Sequence, residues 1–248
     1  MRFDVRWLAA VVLALPAFAH ADPDEYVQTP LVEFGVRELD FKYGTRDPSG
    51  AQPRESAGSL GLAYGVTPWW FTEAYARFAK GAGSDTHFDE FEWENMFQLT
   101  ETNQYPVDLG WLVETELPRA RDEGRVIVRT GPLIQWDTGA LRWNANVFFE
   151  HAFDSTTGGS PGTQLQYQAQ VSFRLRDAMD AGVQAFGDLG PWDHWLPRDE
   201  QNHRIGPALF GKLKLEGRRS IEWNAAWLFG VSKAAADNAL RVQAEYEF

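Results

Sequence analysis

The sequence predicts an all-β chain: a single antiparallel transmembrane β-barrel of about 12 strands, preceded by a cleaved signal peptide. Three observations predict it. Stretch after stretch of roughly ten residues alternates apolar and polar side chains, the period of a strand with two unlike faces. The connections between these stretches alternate in length. No stretch approaches the roughly 20 consecutive apolar residues of a membrane helix. A chain that enters a bilayer without such a helix must close its strands into a barrel, because hydrocarbon offers backbone groups no partners.

Met1 to Ala21 reads as the signal peptide. Arg2 and Arg6 make a basic start, Trp7 to Ala19 is an apolar run too short to span a bilayer, and Ala19-His20-Ala21 is a small-x-small cleavage site. Residues 22–248 are then one barrel, with no internal domain boundary. The formal charge of the whole chain is −12; Arg2, Arg6 and Asp4 sum to +1, so cleavage leaves −13. That balance excludes nucleic acid as a natural partner. There are no cysteines, hence no disulfides and no thiol chemistry. The 11 Trp and 17 Phe exceed what an acidic soluble protein needs and suit the aromatic girdles of a membrane barrel.

The strands follow in order. Val32 to Tyr43 is the first; its phase slips near Glu38, where a bulge would restore register. Ser59 to Val66 is the second, ended by Thr67-Pro68. Trp70 to Lys80 places Glu73, Tyr75 and Arg77 on one face, and Phe88 to Leu99 sets Phe91, Trp93 and Phe97 against Glu90, Glu92 and Glu94. Val107 to Leu117 sets Leu109, Trp111 and Val113 against Asp108, Glu114 and Glu116. Arg125 to Trp136 carries Arg125 and Arg129 on its polar face, and Leu141 to Glu150 carries Arg142, Asn144 and Asn146. Gln164 to Leu175 alternates most cleanly, with a run of glutamines and Arg174 opposite Leu165, Tyr167, Val171 and Phe173. Ala181 to Gly187 is short and weak. Arg204 to Leu213 and Ile221 to Val231 precede the last strand, Leu240 to Phe248, which alternates without error and ends on an aromatic.

Tight connections such as Asp137-Thr138-Gly139 and Leu215-Glu216-Gly217-Arg218 alternate with longer ones such as Gly44 to Ser56 and Asp188 to Asn202. Outer-membrane barrels have this rhythm, with short periplasmic turns and longer external loops. The final strand resembles the C-terminal signal of such proteins, which implies the barrel-assembly machinery as a partner through Phe248, besides outer-membrane lipid.

With apolar faces toward lipid, the polar faces line the lumen: Glu73, Arg77, Glu90, Glu92, Glu94, Asp108, Glu114, Glu116, Arg125, Arg129, Arg142, Arg174, Arg204 and Arg241. An acidic wall then adjoins a basic one. Neighbouring strands can neutralise one another, for instance Glu114 or Glu116 with Arg125 or Arg129, since partly buried charge needs a partner. The alternative use of these charges is a narrow wet path for a small solute, and about 12 strands enclose more room than about 8.

The sequence offers no catalytic residue, cofactor or metal site. His87, His151, His194 and His203 fall near one end of the barrel without metal-ligand spacing. His151 precedes Asp154-Ser155, but three residues of one loop do not make a triad without geometry. No glycine cluster has a phosphate-cradle pattern.

Gly182 to Gly190, His203 to Leu209, Phe229-Gly230-Val231-Ser232, the last strand, and Leu62 to Pro68 together resemble a phenol-degradation meta-pathway family of proteobacterial outer-membrane proteins. The resemblance implies a barrel in the Gram-negative outer membrane and uptake of a small, aromatic or otherwise hydrophobic compound. It transfers no catalytic residue. The expected function is passage or binding of a small solute through a charged lumen. A lipid hydrolase of the outer membrane and a structural barrel without transport are the alternatives.

Overall fold

The computed structural model describes residues 23–49, 54–119, 125–154, 162–176 and 178–248. The expected signal peptide, Ser155 and the Gly158-Gly159 pair lie outside the described residues, as do the side chains of Arg125 and Asp154. Twelve strands run in chain order: β1 (Arg37–Arg46), β2 (Glu55–Thr67), β3 (Trp70–Gly81), β4 (His87–Gln98), β5 (Asp108–Pro118), β6 (Arg125–Thr138), β7 (Leu141–Asp154), β8 (Thr163–Arg176), β9 (Met179–Pro191), β10 (Asn202–Lys214), β11 (Ser220–Gly230) and β12 (Asn238–Glu247). Each pairs antiparallel with its sequence neighbours, and β12 pairs with β1, so the sheet closes into a barrel with no edge. The chain is all-β, and no described helix is long and apolar enough to cross a membrane.

Closure satisfies backbone groups that hydrocarbon would leave bare, which lets a strand present leucine and tryptophan outward. Leu39, Phe41, Leu60, Leu62, Trp93, Leu209, Trp227 and Leu240 do so, each more than a third exposed. Aromatic pairs lie toward both ends: Phe78 meets Phe88 and Trp227 meets Phe229 toward one, and two further pairs lie toward the end that holds Arg37 and Glu247, here called the lower end. Trp136 stacks on Trp143 with centroids 5.9 Å apart, and Trp70 stacks on Phe97 at 6.4 Å. The lower end carries the two-residue turns after β2 and β6, while segments 192–201 and 231–237 cross the upper end.

Two expectations about strands are corrected. β1 begins at Arg37 instead of Val32, and no bulge repairs the slip near Glu38. The phase changes there because the chain turns at Gly35, whose φ is 79°, and the residues before it are not strand. β9 has 13 residues and reaches Pro191. Gly182, Gly187 and Gly190 blank out its alternation in the sequence without interrupting its pairing to β10, which runs from Met179 to Asp188.

Candidate functional site

The lumen is occupied by a segment of the chain that precedes β1. Residues 23–34 run down inside the barrel before the turn at Gly35 leads into β1. At Gly44 of β1 the inner segment lies so close that a Cβ would sit 1.8 Å from the Pro23 carbonyl oxygen. Farther down, the wall carries the segment through Val32 N–H, which donates to Gln98 Oε1 at 2.7 Å, and Gly35 N–H, which donates to the Gly65 carbonyl at 2.8 Å.

Polar side chains of the wall hold the segment between these points. Ser59 Oγ donates to Asp24 at 2.8 Å, and Arg77 lies 3.4 Å from the same carboxylate. Glu25 accepts from Gln168 at 2.9 Å, stands 3.4 Å from Arg129 and 3.7 Å from Arg204, and its carbonyl accepts from Arg241. Gln28 donates to Glu94 at 2.7 Å, and its carbonyl accepts from Asn146 at 2.9 Å. Each such bond is worth about 1 kcal/mol net, more where an ion takes part. The segment's apolar residues have prepared seats. Val27 packs among Phe186, Ala208, Ala226, Leu228 and Ala239. Val32 packs against Met96, Leu112, Leu133 and Phe148.

The segment divides the lumen. An upper chamber of about 310 Å³ is lined by ten carboxylates, among them Glu55, Glu90, Glu92 and Glu116, against Lys42, Arg46, Arg77 and Arg129. A lower chamber of about 1040 Å³ is bounded by Tyr26 to Phe34 on one side and by Arg142, Gln170, Arg174, Lys212 and Glu245 on the other. Tyr26 borders both. At this waist Lys42 Nζ lies 3.7 Å from the ring centre of Tyr26, 3.5 Å from that of Tyr75 and 3.5 Å from Glu94 Oε1. An ammonium between two ring faces and a carboxylate is held by both ring quadrupoles and a charge.

The structure places Glu73, Arg77, Glu90, Glu92, Glu94, Asp108, Glu114, Arg204 and Arg241 among the buried side chains. Glu116 and Arg129 line the upper chamber, and Arg174 lines the lower. Arg142 reaches the lower rim, where it pairs with Asp137 at 3.1 Å. Of the anticipated strand-to-strand pairs, Arg129 meets Glu114 at 2.6 Å. Arg77 binds Asp89 as well as Glu90. The sequence reading missed the inner segment and its anchors Asp24, Glu25, Tyr26 and Gln28. It also missed Asp40 and Lys42, which share the inward face of β1, and the amide of Gln184. A signal existed: Met96, Leu112, Leu133, Phe148 and Phe186 share the phase of the charged residues, and a lumen with nothing in it has no use for them.

The histidines stay apart from the lumen. His151 Nδ1 lies 3.1 Å from Thr163 Oγ1, His194 Nδ1 lies 2.7 Å from Asp193, and His203 Nδ1 lies 3.1 Å from Tyr167. Among the described residues no group of three His, Cys, Asp or Glu is placed to hold a metal ion.

Closed antiparallel topology, twelve strands, an apolar outer belt with aromatic pairs and a polar interior define a β-barrel of the outer-membrane class. Solved structures of that class resemble the chain. An outer-membrane channel of the COG4313 type from Pseudomonas putida F1 superposes with a TM-score of 0.56 at 13% identity, covering 92% of this chain and 100% of that one. The translocator domain of the autotransporter NalP from Neisseria meningitidis gives 0.53 at 14% identity, over 87% of this chain and 89% of that one. The porin KdgM, solved with disordered oligogalacturonate, gives 0.52 at 8% identity, over 85% and 98%. No family model matches the chain, and no curated protein matches it in sequence.

Proposed function

We propose that the protein is an outer-membrane channel for a small solute, closed at rest by its own residues 24–34. The observation that carries this reading is the inner segment, which fills the lumen between two wet chambers and is held by side-chain contacts that can be remade with water. A barrel meant only as a wall gains nothing from two chambers lined by charge. The fold similarity to a channel and to a porin supports a solute-passing role. The resemblance of Gly182 to Gly190 and of the last strand to the phenol-degradation family supports a small aromatic or hydrophobic compound as cargo, and swelling of proteoliposomes in aromatic acids, sugars and amino acids distinguishes these.

Planar-bilayer recording tests the reading. The full-length chain should show small or infrequent conductance steps, and deletion of residues 24–34 should give larger and longer ones. Silence from both proteins, or identical steps, would rule the plugged channel out.

A further inference from the structure

The inner wall sets carboxylate against carboxylate. Across the β1–β12 seam Glu38 faces Glu247 and Asp40 faces Glu245. Glu73 faces Glu94 between β3 and β4, and Glu94 and Glu92 face Glu114 and Glu116 between β4 and β5. Like charges directly opposite one another weaken a sheet, so a lumen built only for stability would put lysine or arginine at one member of each pair. The pairs form a track from the upper chamber, which holds Glu92 and Glu116, to the lower one, which holds Glu38, Glu245 and Glu247. Other inward positions are amide and guanidinium, among them Asn146 on β7, Gln168 on β8 and Arg204 on β10.

Two oxygens on this track lack a partner. Asp40 is 1% exposed and Glu73 is 5% exposed, yet Asp40 Oδ1 and Glu73 Oε1 accept no hydrogen bond. No basic group of the described residues stands within 4.0 Å of either carboxylate. Glu73 Oε1 lies over Gly61, which pairs with Asp40 on one side and, on the other, with Tyr75, whose hydroxyl binds Asp40. A Cβ at Gly61 would lie 2.8 Å from Glu73 Oε1 and 2.4 Å from the Tyr75 ring, so the missing side chain leaves the room in which they gather. Tyr75 donates its hydroxyl to the other oxygen of Asp40 at 2.8 Å, which fixes that carboxylate and leaves Oδ1 turned away from the bond. Beside them Lys42 is already clasped by two ring faces and Glu94, so the waist demonstrably accommodates a positive charge. A buried carboxylate without a counter-charge is costly, and two beside one ammonium call for a second cation.

We propose that Asp40 Oδ1 and Glu73 Oε1 bind a small monovalent cation at the waist, and that the acidic track makes the pathway cation-selective. The selectivity claim rests on the channel reading above; the binding claim does not. Equilibrium dialysis of the full-length protein in detergent against rubidium ion tests binding directly. The wild type should retain one rubidium per barrel. D40N and E73Q should each weaken it by about tenfold or more, because each removes a unit charge at contact distance. E216Q, in the turn between β10 and β11, should bind as the wild type does. Heat-modifiable migration on gels confirms that each variant is folded.

Bilayer reversal potentials across a potassium chloride gradient test selectivity: cation preference in the conducting protein, reduced in D40N and E73Q. Rubidium retained equally by wild type and both variants, or by none, overturns the site. An anion-directed reversal potential overturns the track. If no protein conducts while rubidium binding still follows Asp40 and Glu73, the channel reading fails and the site stands.

Discussion

At Gly44 a hydrogen atom stands where any other residue would place carbon, and the Pro23 carbonyl takes the room. Gly44 is opposed by Ala57 and Arg241 on the neighbouring strands, so the wall there is continuous and a side chain can point only into the lumen. G44V should therefore expel the top of the inner segment while leaving the ladder intact. Bilayer steps should rise in frequency over wild type, and heat-modifiability should stay unchanged; a variant that folds and is as quiet as wild type would argue that the segment is not the obstacle. Residues of this kind were hard to see in the sequence. Alternation assigns a face to each side chain, and the face of Glu90, Glu92 and Glu94 was legible from it. Alternation cannot report that Gly44 is empty because something else fills its place. Nor does it distinguish Leu112 and Phe148, which seat the inner segment's Val32, from residues turned to lipid by a local slip.

Among the elements, the strands were legible and the segment before them was not. Period two is enforced wherever one face meets hydrocarbon and the other meets water, so every strand left a trace, weakest in β9 where glycine interrupts it. The inner segment has no such two-sided environment. It is surrounded by wall and has no repeating face, so its Val32 and Phe34, with Val36 just past the turn, looked like the start of β1. Its attachment makes a prediction at this scale. Ser59 Oγ and Asp24 Oδ2 are 2.8 Å apart, so cysteines at these two positions, in a chain with no cysteine of its own, stand within reach of a short bis-methanethiosulfonate cross-linker. D24C/S59C should be nearly silent in bilayers when cross-linked and should regain its steps when the reductant cleaves the cross-link. Arg77 keeps Asp89 and Glu90 in this variant, so the wall itself is not stripped of charge pairs. Conductance indifferent to reductant would mean that the segment need not leave Ser59 for the channel to open.

For the whole molecule, the acidic track ties stability to function in opposite senses. The inner wall carries acids at Glu38, Asp40, Glu73, Glu92, Glu94, Glu245 and their partners, and they are answered in part by Lys42, Arg77, Arg129 and, at Glu247, Lys212. At the β1–β12 seam, where the barrel closes, Glu38 faces Glu247 and Asp40 faces Glu245. Removing one charge from a facing pair of like sign relieves on the order of 0.2–1 kcal/mol. E38Q/E245Q keeps shape and hydrogen-bonding capacity while halving the charge in both pairs. It should raise the urea concentration needed to unfold the detergent-solubilised barrel, and the gain should shrink as salt screens the wet lower chamber. The same variant should lose cation preference in reversal-potential measurements. A barrel assembled for strength alone would have been driven by the first effect to exchange these carboxylates, and retaining them makes sense if passing cations is what the lumen is for. A double variant less resistant to urea than the wild type would show that the facing acids already share a cation or proton tightly enough to bind the seam together, and the opposition between strength and selectivity would disappear.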